Sequence, residues 1–180
     1  MQGERVHFMN IVLIGYRGTG KSVVGKLLSK RLRRSLYSID QMIVQSEGVT
    51  IPEIVEHQGW PVFREIETRM VAVAAEKNNA IIDCGGGVIL KDQNTERLKK
   101  NGKMVWMTAE METILQRIRK DPNRPPLKEG LSFEEEQKKV LMEREGRYRA
   151  AADYTCDTTE KKPQQSVREI IDHFKKMKWI

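Results

Sequence analysis

An α/β domain of three layers, with a parallel sheet of about five strands between helices, is the fold this sequence predicts. Two observations carry it. Short apolar runs alternate with segments of helical periodicity along the whole chain, and the first run passes through a glycine-rich loop straight into a helix. That loop is Gly15-Tyr16-Arg17-Gly18-Thr19-Gly20-Lys21-Ser22, between the strand-like Asn10-Ile11-Val12-Leu13-Ile14 and the helical Val23-Val24-Gly25-Lys26-Leu27-Leu28. Its spacing, G-x-x-x-x-G-K-[ST], is that of a phosphate-binding P-loop. The glycines let backbone N–H groups turn inward around an anion, and the helix N-terminus adds the favourable end of its dipole. Lys21 can reach β- and γ-phosphates and the Ser22 hydroxyl can ligate Mg²⁺, so a nucleoside triphosphate site is expected.

The remaining elements follow in order. The first helix closes on the basic cluster Lys30-Arg31-Leu32-Arg33-Arg34, charges suited to a helix C-terminus; residues 35–39 read as a second strand ending at Asp40, which begins the segment 41–45 ended by Gly48. Thr50-Ile51-Pro52-Glu53 has the spacing of a capping box and starts a short helix over 51–58 that stops at Gly59. Pro61 starts another, with Val62, Ile66, Met70 and Val73 at helical spacing. Residues 80–84 form a third strand that runs into Gly85-Gly86-Gly87, three glycines where a backbone approaches a ligand or another loop closely. A helix over 94–100, a strand over 103–107 and a helix over 111–119 come next. Residues 121–132, broken by Pro122, Pro125 and Pro126, make the one long irregular stretch, which reads as a lid. Ser132-Phe133-Glu134-Glu135 caps a charged helix to about residue 152, residues 154–157 form the fifth strand, and 167–177 a closing amphipathic helix. Ligands of such a sheet lie at the carboxyl ends of its strands, which puts the P-loop, Asp40, Asp83 and residues 85–87 along one edge.

Composition narrows the partners. The 180 residues suit a single domain with a core, preceded by a short extension over residues 1–9. No apolar run approaches the roughly 18 residues of a membrane span, and the first nine residues lack the apolar core of a signal peptide, so a cytoplasmic protein is expected. Cys84 and Cys156 stand far apart in no metal-binding spacing and read as buried thiols. The formal charge of +7 comes from Lys and Arg interleaved with 25 acids, and no aromatic-basic motif accompanies it. Small anionic substrates rather than nucleic acid or membrane are therefore the expected partners.

Taken together, the P-loop, Asp40, Phe63-Arg64-x-x-Glu67, the three glycines, Arg124-Pro125, and Arg144 followed by Arg147-Tyr148 resemble shikimate kinase. The ordered set spans nearly the whole chain, whereas the P-loop alone would fit many NTPases. The resemblance implies a P-loop kinase fold with a mobile lid, a monomer, and Mg²⁺-dependent transfer of the ATP γ-phosphoryl group to the 3-hydroxyl of shikimate. It implies that Gly15, Gly18, Thr19, Gly20, Lys21, Ser22 and Val23 hold the nucleotide, with Arg117, Lys161 and Pro163 beside the adenine. Arg124 would come down with the lid onto the phosphates and act with Lys21 and Asp40 in catalysis. Asp40, Arg64, Arg144 and the backbone of Gly85, Gly86 and Gly87 would bind the acceptor.

The sequence departs from the family pattern at the end of the second strand. An Asp-x-Asp is usual there; this chain has Ser38 and Asp40, while Asp83 stands at the end of the third strand. Asp83 is accordingly expected to make the outer-shell Mg²⁺ contact that Ser38 does not. The alternatives left by the residues are a kinase of another small hydroxy acid such as gluconate, and a P-loop module that binds nucleotide with little turnover.

Overall fold

Runs of Ile, Val and Leu with both faces apolar can lie only in the middle of a covered sheet, and that is where they are found. In the computed structural model, which describes residues 9–118 and 132–180, strands β1 (Asn10–Ile14), β2 (Leu36–Ser38), β3 (Ile81–Asp83), β4 (Gly102–Thr108) and β5 (Tyr154–Asp157) are all parallel. Their spatial order is β2-β3-β1-β4-β5. The helices are α1 (Lys21–Leu32), α2 (Ile39–Glu47), α3 (Ile51–Ala75), α4 (Asp92–Lys100), α5 (Met111–Ile118), α6 (Phe133–Ala151) and α7 (Pro163–Lys176), with a 3₁₀ turn at Val88–Leu90. The strand order reverses direction at β1, so the P-loop leaves the sheet at its topological switch point.

Successive side chains of a strand point to opposite faces, and the core divides accordingly. Ile11, Leu13, Ile81, Val105, Met107 and Cys156 pack with Val24 and Leu28 of α1 and with Val167, Ile170, Ile171 and Phe174 of α7. Val12, Ile14, Ile82, Cys84, Met104 and Trp106 pack on the other side, against α2 to α6. These are the three layers the sequence predicts. Both cysteines are buried and free, and no described helix is long and apolar enough to cross a membrane.

Three differences from the sequence expectation bear on the site. β2 ends at Ser38, and Ile39 and Asp40 already belong to α2; Asp40 sits in the first turn, where an acid is favoured by the helix dipole. The helices expected on either side of Gly59 are the two halves of α3, joined across a kink at which Gly59 takes φ 80° and ψ 167°. Pro61 lacks the N–H that an unbroken helix would need there. α7 starts one turn before the expected residue 167, because Pro163 occupies its first turn. The capping boxes of Thr50–Glu53 and Ser132–Glu135 are formed as expected. Residues 1–8, Arg124 and the rest of the expected lid up to residue 131 lie outside the described residues.

Candidate active site

The P-loop wraps the N-terminus of α1, and Gly20, at φ 88°, is the residue that turns the chain into the helix. Thr19 Oγ1 and Lys21 Nζ both donate to the Tyr16 carbonyl, at 2.7 and 2.8 Å, which folds the loop over itself and holds the lysine above it. A cavity of about 430 Å³ opens beside this loop, and Gly18, Gly20, Lys21, Ser22, Val23, Arg117, Lys161 and Pro163 all line it. Of the residues expected to hold nucleotide, Gly15 and Thr19 do not line it: Thr19 is buried beneath the loop it braces.

Two residues that the sequence did not flag keep this cavity in shape. Thr158, just past β5, donates through Oγ1 within 3.1 Å of the Thr19 and Thr108 carbonyls, tying the P-loop to β4. Arg117 in turn donates to Gly18 O (3.1 Å), Thr158 Oγ1 (3.0 Å) and Thr158 O (2.9 Å), so α5 is stitched to the same place. Gln137 of α6 is fully buried and its Oε1 accepts from Tyr16 Oη (2.6 Å) and Arg17 Nε (2.7 Å). These contacts link residues more than 100 apart in the chain, apart from those of Arg117 to Gly18 and Thr158 and of Thr158 to Thr108.

Lys161 is held at the cavity by an ion pair of Nζ with Glu169 Oε2, while Tyr154 Oη donates to Glu169 Oε1 at 2.6 Å. Burial alone would raise the Glu169 carboxyl, but the bonds from Lys161 and Tyr154 outweigh it and hold the group below the usual carboxylate range. Its stabilising contribution is therefore complete above the unfolded value of about 4.3 and disappears as the pH falls through the lower folded value. Glu169→Gln is expected to lower stability at neutral pH by less than about 1 kcal/mol, since the pair is partly exposed. Urea unfolding of both proteins checks this: the gap should close as the pH is brought below about 4.

The second half of the site lies across Gly85–Gly87. Arg64 of α3 pairs with Glu67 one turn on, Nη1 to Oε2 at 2.8 Å, and its guanidinium lies 5.2 and 5.0 Å from the Trp60 and Phe63 rings. Lying over aromatic rings suits a guanidinium, and both of its terminal nitrogens stand beside Gly87. A methyl group added at Gly87 would come within 2.2 Å of Arg64 Nη1 and Nη2, so only glycine admits the arginine here. From α6, Arg144 Nη1 donates to Gly86 O at 3.1 Å, and Tyr148 Oη donates to the same carbonyl. Two arginines from different helices thus converge on one three-residue segment.

Asp40 and Glu67 meet at Gly85: an added methyl there would lie 2.9 Å from Asp40 Oδ1 and 3.0 Å from Glu67 Oε1. Glu67 is 1% exposed, and its Oε1 is buried without a hydrogen-bond partner. Burial raises its pKa above the usual range, Arg64 pulls it down, and the nearby Asp40 charge pushes it up again. In the sequence Glu67 was one letter of a motif; in the structure it is the group that orients Arg64. The two halves of the site are contiguous, because a methyl at Gly86 would stand 3.6 Å from the carbonyl of Gly15 in the P-loop.

Gly87→Ala offers a direct check on this geometry. The obstructing atoms are the far end of a flexible side chain, so the fold should persist while Arg64 swings off the glycines. If the glycine segment binds the acceptor as expected from the sequence, KM for the acceptor should rise about tenfold or more, the value of one charge-assisted hydrogen bond, with KM for nucleotide nearly unchanged. Steady-state kinetics against both substrates reads the difference.

A shikimate kinase family model matches residues 17–175 of the chain. A curated shikimate kinase of Pelotomaculum thermopropionicum is 39% identical over 171 residues, 95% of this chain and 98% of that one. The shikimate kinase of Sulfurihydrogenibium sp. is 35% identical, over 93% of this chain and 98% of its own length. Among solved structures, shikimate kinase from Acinetobacter baumannii in complex with shikimate superimposes with a TM-score of 0.89 at 32% identity, covering 94% of both chains.

Proposed function

The chain belongs to the shikimate kinase family, and from that premise we propose that it transfers the γ-phosphoryl group of ATP to the 3-hydroxyl of shikimate with Mg²⁺. The observation that carries the reading is the junction at Gly86, where the P-loop and a pocket of two arginines share one strip of backbone.

Each part of the site has a physical task in this reaction. The carboxylate of shikimate meets Arg64 and Arg144, each able to give it charge-assisted hydrogen bonds worth about 1.5–3 kcal/mol. Glu67 holds Arg64 in place, and Tyr148, by sharing the Gly86 carbonyl with Arg144, fixes the glycine segment between them. Asp40, half-buried at the first turn of α2, faces the same pocket and orients the acceptor hydroxyls. On the other side the P-loop amides and Lys21 receive the β- and γ-phosphates.

The Ser22 hydroxyl is exposed at the first turn of α1, and such oxygen donors are the kind Mg²⁺ takes. Held there by Ser22, Mg²⁺ would contribute charge neutralisation to the phosphoryl transfer. The acceptor oxygen forms a bond to the γ-phosphorus, the bond to the β–γ bridging oxygen breaks, and ADP departs with that electron pair. The hydroxyl proton passes to Asp40, a carboxylate within the acceptor pocket. Lys21 stabilises charge on the transferring group, and no covalent enzyme intermediate is needed.

Phosphorus–proton correlation NMR of the product tests the assignment. The proposal expects the phosphate to couple to the proton on C3 of shikimate; coupling to another ring proton, or ATP consumption with no phosphorylated shikimate, would contradict it.

A further inference from the structure

Asp83 is the last residue of β3 and is 6% exposed; its neighbours in register are Leu13 of β1 on one side and Ser38 of β2 on the other. The pleat decides which way it faces. Ile81, two residues earlier, packs in the cluster beneath α1 and α7, while Ile82 and Cys84 belong to the opposite cluster, so Asp83 lies on the α1 face. Leu36 packs against the α1-side cluster as well, which puts Ser38, two residues on, beside Asp83 on that face.

α1 lies close to the sheet at this point because Gly25 has no side chain. A methyl at Gly25 would stand 3.3 Å from Leu13 Cδ1, 3.5 Å from Leu36 Cδ1 and 3.9 Å from Asp83 Cβ. Lys21 and Ser22 are one turn nearer the N-terminus of the same helix. Asp83 is thus at the carboxyl end of the strand adjacent to the P-loop strand, under the phosphate-binding end of α1. That is where an acid can complete the oxygen environment of a metal ion bound through a P-loop serine. Asp40 is directed elsewhere, to Gly85 and Glu67 in the acceptor pocket.

Resting on the proposed reaction, we propose that Asp83 is the carboxylate that holds the nucleotide's Mg²⁺ from its outer shell, an acid carried on β3 in register with Ser38. Adjacent strands are only about 4.8 Å apart. An acid at position 38 should therefore serve the same metal when Asp83 is removed.

Titration of the whole protein with Mn²⁺ in the presence of ADP, followed by electron paramagnetic resonance, tests this without relying on turnover. Asp83→Asn should weaken Mn²⁺ binding about 10- to 100-fold, as loss of an outer-shell partner does, while ADP binding in the absence of metal is unchanged. The double variant Ser38→Asp with Asp83→Ser should recover most of that loss. Undiminished Mn²⁺ binding by Asp83→Asn overturns the proposal, and so does failure of the double variant, once folded, to bind better than Asp83→Asn. Should Asp83→Asn not fold, a crystal structure of the unaltered protein with Mg²⁺ and a non-hydrolysable ATP analogue decides. A carboxylate oxygen bonded to a metal-bound water supports the role, and one bonded only to protein groups overturns it. If the unaltered protein binds no Mn²⁺ with ADP, the Mg²⁺-nucleotide reading falls with it; shikimate binding by the same sample tells that case apart from misfolding.

Discussion

Replacing Lys21 by Met is expected to lower kcat about 10²- to 10³-fold, the loss that follows removal of one donor aimed at developing charge, or about 2.7–4 kcal/mol. KM for shikimate should move little, because the lysine sits on the nucleotide side of Gly86. The variant should remain folded: Met keeps the methylene packing, and Thr19 Oγ1 still donates to the Tyr16 carbonyl that Lys21 shared. Single-turnover kinetics measures the chemical step apart from binding. A kcat within tenfold of the unaltered protein would mean that charge on the transferring phosphoryl group is met by other residues.

Arg64→Ala should have the largest effect on the acceptor side, and on two quantities at once. Losing one charge-assisted partner of a carboxylate, worth about 1.5–3 kcal/mol, raises KM for shikimate about 10- to 150-fold. The same change strips the buried Glu67 of its ion-pair partner, and breaking a buried pair from one side costs about 3 kcal/mol or more. The pH dependence has a definite sign. Burial already raises the Glu67 pKa, and removal of Arg64 raises it further. A group whose folded pKa is raised favours the folded state when protonated, so the destabilisation is greatest at neutral pH and shrinks as the solution is acidified. Arg144→Ala gives a contrast: KM should rise similarly with little loss of stability, since Tyr148 still donates to Gly86 O. Equal stability losses in the two variants would show that Glu67 does not depend on Arg64.

Much of this site could be read from local sequence because its chemistry is local. The P-loop is eight consecutive residues, the three glycines are adjacent, and Arg64 and Glu67 are one helical turn apart. What escaped was set by contacts across the chain. Thr158 and Gln137 brace the P-loop from positions 139 and 121 residues away from Thr19 and Tyr16, and nothing beside either residue signals that task. The start of α2 escaped for another reason: Ile39 continues the apolar run of β2, and only the packing of Ile39 and Ile43 against the sheet draws it into a helix. Asp40 thereby lies in a helical turn facing Gly85 instead of ending a strand. Thr50 and Ser132, by contrast, declared their helices outright, because a capping box is completed within four residues.

The gluconate-type alternative gives no task to two arginines around a glycine pocket, and the silent-module alternative gives none to Asp40. Acceptor specificity is read most directly from ADP release from ATP and Mg²⁺ with shikimate, with gluconate, and with no acceptor. Turnover should depend on shikimate, with only a background rate for the other two. Equal rates in all three, or turnover that follows gluconate, would contradict the proposed reaction.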